Sequence, residues 1–164
     1  MSPLETAMSA KRHSLNSPDA MDDPIEFQVL NEIGIIDQLA QSSAARLLAP
    51  DLNMSQFVVL NHFVRLGGER SLVQLASAMQ VTKGAMTNTV TRLQARAWVA
   101  VKPDPNDGRG KLVSLTPAGR SARNRAVAKL AGGLAGLDNV AGRSEFNATL
   151  KSLRKLRVWF DSNR

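Results

Sequence analysis

Two helical stripes separated by a brief turn, the second followed at once by a β-hairpin, restrict this chain to few architectures. Leu72, Leu75, Ala76 and Met79 recur at helical spacing behind Ser71, a residue suited to cap them. A turn through Gln80 and Val81 leads to Thr82, a second cap. Met86, Val90, Leu93 and Ala97 then form one apolar stripe that must face a core. Trp98–Lys102 reads as a strand, Pro103–Gly108 as a turn, and Gly110–Leu115 as the return strand. Helix, turn, helix and hairpin in that order give a mainly α fold with a small β-wing.

Longer helices flank this unit. Asp23-Pro24 reads as an N-cap followed by proline at the first helical position. Behind it Val29, Ile33, Ile36, Ala40 and Leu47 form one stripe, with Phe27, Leu30 and Leu39 on a second face, until Pro50 stops the helix. A helix apolar on two sides has two partners, one of which can belong to another subunit. Asn53 or Ser55 caps the next helix, whose apolar residues are Phe57, Val58, Leu60, Phe63 and Val64, and Gly67-Gly68 closes it. Thr116-Pro117 repeats the cap-and-proline start, for a helix through Leu130 that weakens at Gly132-Gly133 and Gly136. A last helix from about Ser144 holds Phe146, Leu150, Leu153, Leu156, Trp159 and Phe160 beside Lys151, Arg154, Lys155 and Arg157. That composition also suits a membrane-surface helix, but packing against the first helix, in cis and across a dimer axis, accounts for it more economically. Residues 1–22 have no periodicity and read as a disordered arm.

The charge is concentrated in the middle of the chain. From Arg70 to Pro103 there is no Asp or Glu, while Arg70, Lys83, Arg92, Arg96 and Lys102 are present. Between Ser71 and Arg125 nine Lys and Arg face only Asp104 and Asp107, an excess equal to the net charge of +7 on the whole chain. Localised positive charge calls for a polyanionic partner. The fourth helix shows Lys83, Gly84, Thr87, Asn88, Thr91 and Arg92 opposite its apolar stripe. These are short donors and acceptors with positive ends, sized to meet base edges and phosphates. A merely solvated helix face would ordinarily place an acid in the first turn, where the helix dipole favours it, and this helix has none. The hairpin is expected to bear Arg109 at its tip, flanked by Lys102 and Lys111, as a narrow minor groove would require. The expected partner is therefore double-stranded DNA. The expected domains are 51–116, a winged helix-turn-helix, and 23–50 with 117–164, a dimerisation domain.

Other chemistry finds little support. Without cysteine there are no disulfides, thiolate metal sites or thiol sensors. The two histidines, His13 and His62, lie in unrelated segments, so no metal site is expected. No phosphate loop or nucleophile-base arrangement marks an enzyme, and no cofactor is implied. No apolar run is long enough to span a membrane, and the first residues lack the apolar core of a secretory signal, so a cytoplasmic protein is expected. Arg46, Met54, Phe57 and His62 are candidates to line a small-molecule pocket beside the second helix. The alternative is a non-specific, ligand-independent DNA-binding protein.

Several of these segments together resemble the MarR family of bacterial winged-helix transcriptional regulators, named for multiple antibiotic resistance. The resemblance rests on the Leu75-Ala76 helix, the Arg92-Leu93 helix ending, and the run from Lys102 through Asp104, Asp107 and Arg109 to Leu115-Thr116-Pro117-Ala118-Gly119. It covers about Pro24 to Phe160. The resemblance implies an obligate homodimer with intertwined first and last helices, acting as a repressor on a pseudo-palindromic operator. The fourth helix would enter the major groove and the wing the minor groove, with Asp107 holding the wing arginine and Arg109 touching DNA. It also implies a small phenolic or carboxylated ligand that releases DNA. The chain departs from the family pattern in having Ala97 where glycine is usual and Gly108 where arginine is frequent.

Overall fold

The computed structural model describes residues 23–163, and the expected disordered arm lies outside them. The chain divides into two units, Met1–Ser43 and Ala44–Arg164. Helix α1 (Ile25–Leu48) runs through the boundary. At its start the Gln28 N–H donates to the Pro24 carbonyl at 3.1 Å, and Gln28 Nε2 donates to the Asp23 carbonyl at 2.7 Å. Pro24 therefore occupies the cap position, and Asp23 contributes its carbonyl rather than its carboxylate. Phe27, Ile36 and Leu39 of α1 are exposed.

The second unit continues with α2 (Met54–Leu66), β1 (Glu69–Ser71), α3 (Leu72–Ala78), α4 (Lys83–Ala95), β2 (Val99–Asp104), β3 (Asp107–Leu115), α5 (Pro117–Gly133), a 3-10 turn (Leu137–Asn139) and α6 (Arg143–Ser162). Asn53, not Ser55, caps α2. Its Oδ1 accepts the Gln56 N–H at 2.9 Å, while Gln56 Oε1 accepts the Asn53 N–H at 3.1 Å. Ser71 and Gln74 repeat the same reciprocal pair at α3. The Thr82 and Thr116 hydroxyls accept the Ala85 and Gly119 N–H groups at the starts of α4 and α5. These bonds satisfy amides that a helix N-terminus otherwise leaves without partners.

The three strands form an antiparallel sheet in the order β1-β3-β2. Strand β1 was not foreseen: three residues offer no alternation to read, and only pairing with β3 makes them a strand. The wing is also longer than expected. The turn expected over Pro103–Gly108 contracts to Pro105 and Asn106, with Asp104 opposite Asp107. Pro103 is tolerated because β2 is an edge strand with an irregularity between Pro103 and Asp104. Arg109 consequently lies along β3, three residues past the turn, rather than at the tip.

Leu60 and Phe63 of α2, Leu75 of α3, Leu93 of α4 and Val113 of β3 are buried in one cluster with Leu48 at the end of α1. Met86 and Val90 join it, as their spacing requires, but Ala97 does not. Helix α4 stops at Ala95, and Ala97 takes a left-handed φ of 55° on the surface. The Trp98 N–H donates back to the Leu93 carbonyl at 3.0 Å and the Ala97 N–H to Gln94 at 2.8 Å. This is the helix closure that usually employs glycine, because a Cβ strains the left-handed conformation. Ala97→Gly is therefore expected to stabilise the fold by about 0.5–1 kcal/mol, the strain relieved being partly offset by glycine's greater freedom when unfolded. A rise of the urea midpoint at constant slope would register it; an unchanged or lower midpoint would mean that the strain at Ala97 does not exceed the cost of glycine's freedom when unfolded.

In α6 the Gly142 N–H donates to Glu145 Oε2 at 2.7 Å. Phe146, Leu150, Leu153, Leu156, Trp159 and Phe160 are all exposed, Trp159 by 60%. Among the described residues no helix is long and apolar enough to cross a membrane.

Candidate nucleic-acid interface

Helix α4 presents two unlike faces. Met86, Val90 and Leu93 anchor one in the core, while Lys83, Gly84, Thr87, Asn88, Thr91 and Arg92 are exposed on the other. Thr87 Oγ1 donates to the Lys83 carbonyl at 2.8 Å. The hydroxyl proton is thus engaged within the helix, which leaves the oxygen as an acceptor and the methyl group as an apolar contact. Among the described residues the side chains of Lys83 and Arg92 have no ion-pair or hydrogen-bond partner, so no acid neutralises this face. Gly84 meets nothing but the Thr82 hydroxyl, 4.0 Å from an added Cβ, so a ligand can approach the helix start closely.

The nine cations of the basic stretch are not equivalent. The Arg96 guanidinium lies 4.7 Å from the Trp98 ring centroid and donates to the Asp51 carbonyl, so it is already engaged within the protein. Arg123 binds Asn61 Oδ1 through Nε and Nη2, at 3.1 and 2.8 Å, joining α5 to α2. Lys102 Nζ is paired with Glu69 Oε1 at 2.8 Å. The sequence placed Lys102 beside Arg109 as an unopposed cation. Folding instead brings back the acid that immediately precedes the acid-free stretch. Lys111 is exposed and, among the described residues, unpaired. At the wing tip the Asn106 N–H donates to Asp104 Oδ1 at 2.9 Å. Further along β3, Gly110 is needed, since a Cβ would fall 2.8 Å from Asp107 Oδ2 and 3.0 Å from Asp104 Cβ.

The four residues expected to line a ligand pocket are not gathered round one of the principal cavities. Met54 borders an open cleft of about 740 Å³ shared with Pro50, Gln56, Arg92 and Arg96. Phe57 packs against the core, and Arg46 lies in the last turn of α1. His62 is half-buried edge-on to Phe63, with ring centroids 6.1 Å apart. Burial pushes its pKa down, and the charges of Arg70 and then Arg65 push it the same way.

A second cavity, of about 250 Å³, has no counterpart in the sequence reading. Leu48, Leu52, Trp98, Ala122 and Ala126 line it with apolar surface, and Asp51, Arg96, Arg125 and Lys129 provide the charge. Asp51 Oδ2 accepts from Lys129 Nζ at 2.7 Å, and that bond holds the Asp51 carboxyl below its ordinary range. The contributing residues come from three separate stretches, 48–52, 96–98 and 122–129, so no local pattern announces them. Among the described residues no three His, Cys, Asp or Glu side chains are grouped so as to hold a metal ion.

The sequence profile of the MarR family matches residues 51–110, the span of α2 through most of the wing. The multiple antibiotic resistance protein MarR of Salmonella typhimurium is 36% identical over 88 residues, which are 53% of this chain and 60% of that protein. A crystal structure of mutant MarR from Escherichia coli is 30% identical and superimposes with a TM-score of 0.65, covering 78% of this chain and 94% of that one. A crystal structure of mutant MarR from Escherichia coli complexed with operator DNA is 27% identical, with a TM-score of 0.61 and coverage of 79% and 93%. The aligned segment thus spans 60% of the curated relative, whereas the likeness in fold extends over nearly the whole of the solved chains. With the order of elements, the antiparallel wing and the acid-free helix face already in place, these likenesses establish that the chain belongs to the MarR family.

Proposed function

We propose that this chain is a transcriptional regulator, a repressor, that binds a pseudo-palindromic operator as a homodimer in the cytoplasm. The observation that carries the reading is the exposed face of α4: Lys83, Gly84, Thr87, Asn88, Thr91 and Arg92 stand clear of any acid over a fully anchored apolar face. The solved relative complexed with operator DNA supports it. Lys83, Arg92 and Lys111 supply phosphate contacts, which give affinity and register, while Thr87, Asn88 and Thr91 read base edges. The resemblance assigns the minor groove to Arg109. A single domain of this kind reads half a site. The exposed Phe, Leu and Trp residues of α6, and those of α1, are the surface on which a second copy completes it, residues 23–50 and 117–164 forming the dimerisation domain.

The cavity bordered by Trp98 supports an effector as part of the same reading. Arg96, Arg125 and Lys129 outweigh the single Asp51 around an apolar floor, which suits a small aromatic anion. A ligand that drew Arg96 away from Trp98 would loosen the C-terminal end of α4. Thermal stabilisation by aromatic acids, absent with neutral analogues of the same shape, is the expected result.

The decisive experiment is anisotropy titration against DNA from upstream of the protein's own gene and against a scrambled duplex, each at several salt concentrations. A preference of about 10³-fold or more, with two chains per site, is expected. Equal affinity for both duplexes would favour a non-specific binder, and no binding at low salt would sink the reading.

A further inference from the structure

An ion pair crosses the solvent face of the wing. Glu69 of β1 stands opposite Ser114 of β3, and Ser114 stands opposite Ala100 of β2. Paired residues share a face of the sheet, as do residues two apart on one strand, so Glu69 and Lys102 lie on the same side. The other side carries Val101 and the buried Val113. Lys102 therefore reaches over β3 to Glu69, at 2.8 Å, and both side chains stay open to water, with exposures of 58% and 39%. A pair so exposed contributes little to folding, so stability is a weak reason for it. Its effect on charge is larger. Lys102 is the wing cation of β2, and the carboxylate offers it the same hydrogen-bonded anion that a DNA phosphate would.

We propose that Glu69 is an internal competitor for DNA phosphate: by holding Lys102 it keeps this cation out of the backbone contacts and lowers affinity for every sequence alike. The proposal rests on the DNA-binding reading above. Phosphate contacts carry no sequence information, so restraining one of them reduces binding to the bulk of the genome and leaves base reading by α4 untouched. Glu69 is thus a positioning residue that acts through Lys102.

The test measures Glu69→Gln twice, in the native background and in a Lys102→Gln background. Each protein is titrated with a random-sequence duplex over a range of salt. In the native background the substitution should steepen the plot of log affinity against log salt by about 0.9 per subunit and tighten binding by about five- to tenfold per subunit at 0.1 M salt. In the Lys102→Gln background the same substitution should leave the slope where it was. Equal tightening in both backgrounds would mean that Glu69 repels phosphate directly, and would overturn the proposal, as would an unchanged slope in the native background. If the native chain bound no duplex even at low salt, the DNA-binding reading would fall and this proposal with it, a result distinguishable from the other two.

Discussion

Gly119→Ala is expected to destabilise the protein by about 3 kcal/mol or more, lowering Tm by at least about 6–12 °C, although alanine is the better helix former. The reason is the joint between α4 and α5. The Thr116 N–H donates to the Trp98 carbonyl at 3.2 Å, and the Thr116 hydroxyl donates to the Ala97 carbonyl at 2.7 Å while accepting the Gly119 N–H at 3.0 Å. The first turn of α5 is thereby drawn against the chain leaving α4. A Cβ at position 119 would press on the Trp98 carbonyl, 2.8 Å from its carbon, and would lie 2.9 Å from Leu115 Cδ1. Backbone cannot swing aside as a side chain does. Gly132→Ala, in the same helix with nothing within 4 Å of the added atom, supplies the contrast: there propensity alone acts, and a gain of about 0.5–1 kcal/mol is expected. Chemical unfolding of both variants measures the difference. Similar behaviour of the two would show that the joint yields at little cost.

This joint also marks where the sequence was legible and where it was not. Caps are local devices, so Ser71, Thr82 and Thr116 could be recognised from their spacing to the stripes that follow, and each accepts the amide three residues on. The Met86, Val90 and Leu93 stripe was equally local. Extending it to Ala97 failed because the pattern continues one step after the helix has closed, and a left-handed residue leaves no mark on periodicity. Whatever arises from pairing across the chain was hidden. Strand β1 exists through β3, and Lys102 lost its independence to Glu69, a residue just outside the acid-free run and given no part in the sequence reading. The Trp98 cavity gathers residues from Leu48 to Lys129. The exposed polar face of α4 was visible because it is composed on one helix. A pocket among Arg46, Met54, Phe57 and His62 could only be suggested from the sequence, because concavity is a property of several elements at once.

Arg92→Ala and Asn88→Ala are expected to weaken DNA binding in different ways, and the difference tests the division of labour on α4. In the proposed dimer each substitution removes two contacts. Losing two phosphate contacts at Arg92 should flatten the salt dependence by about 1.8 and weaken binding by roughly 60-fold at 0.1 M salt, equally for operator and random duplexes. Losing Asn88 should cost about 1–3 kcal/mol per half-site on the operator, confined to one base pair in each half, with the salt slope retained. Both side chains are exposed, so neither change should disturb the core. The two results can also cross. A loss at Arg92 confined to the operator would make it a base reader, since a guanidinium also fits the edge of guanine. A loss at Asn88 that is the same on every duplex would mean that the face of α4 supplies affinity without selection, and the regulator would then be a binder of DNA in general.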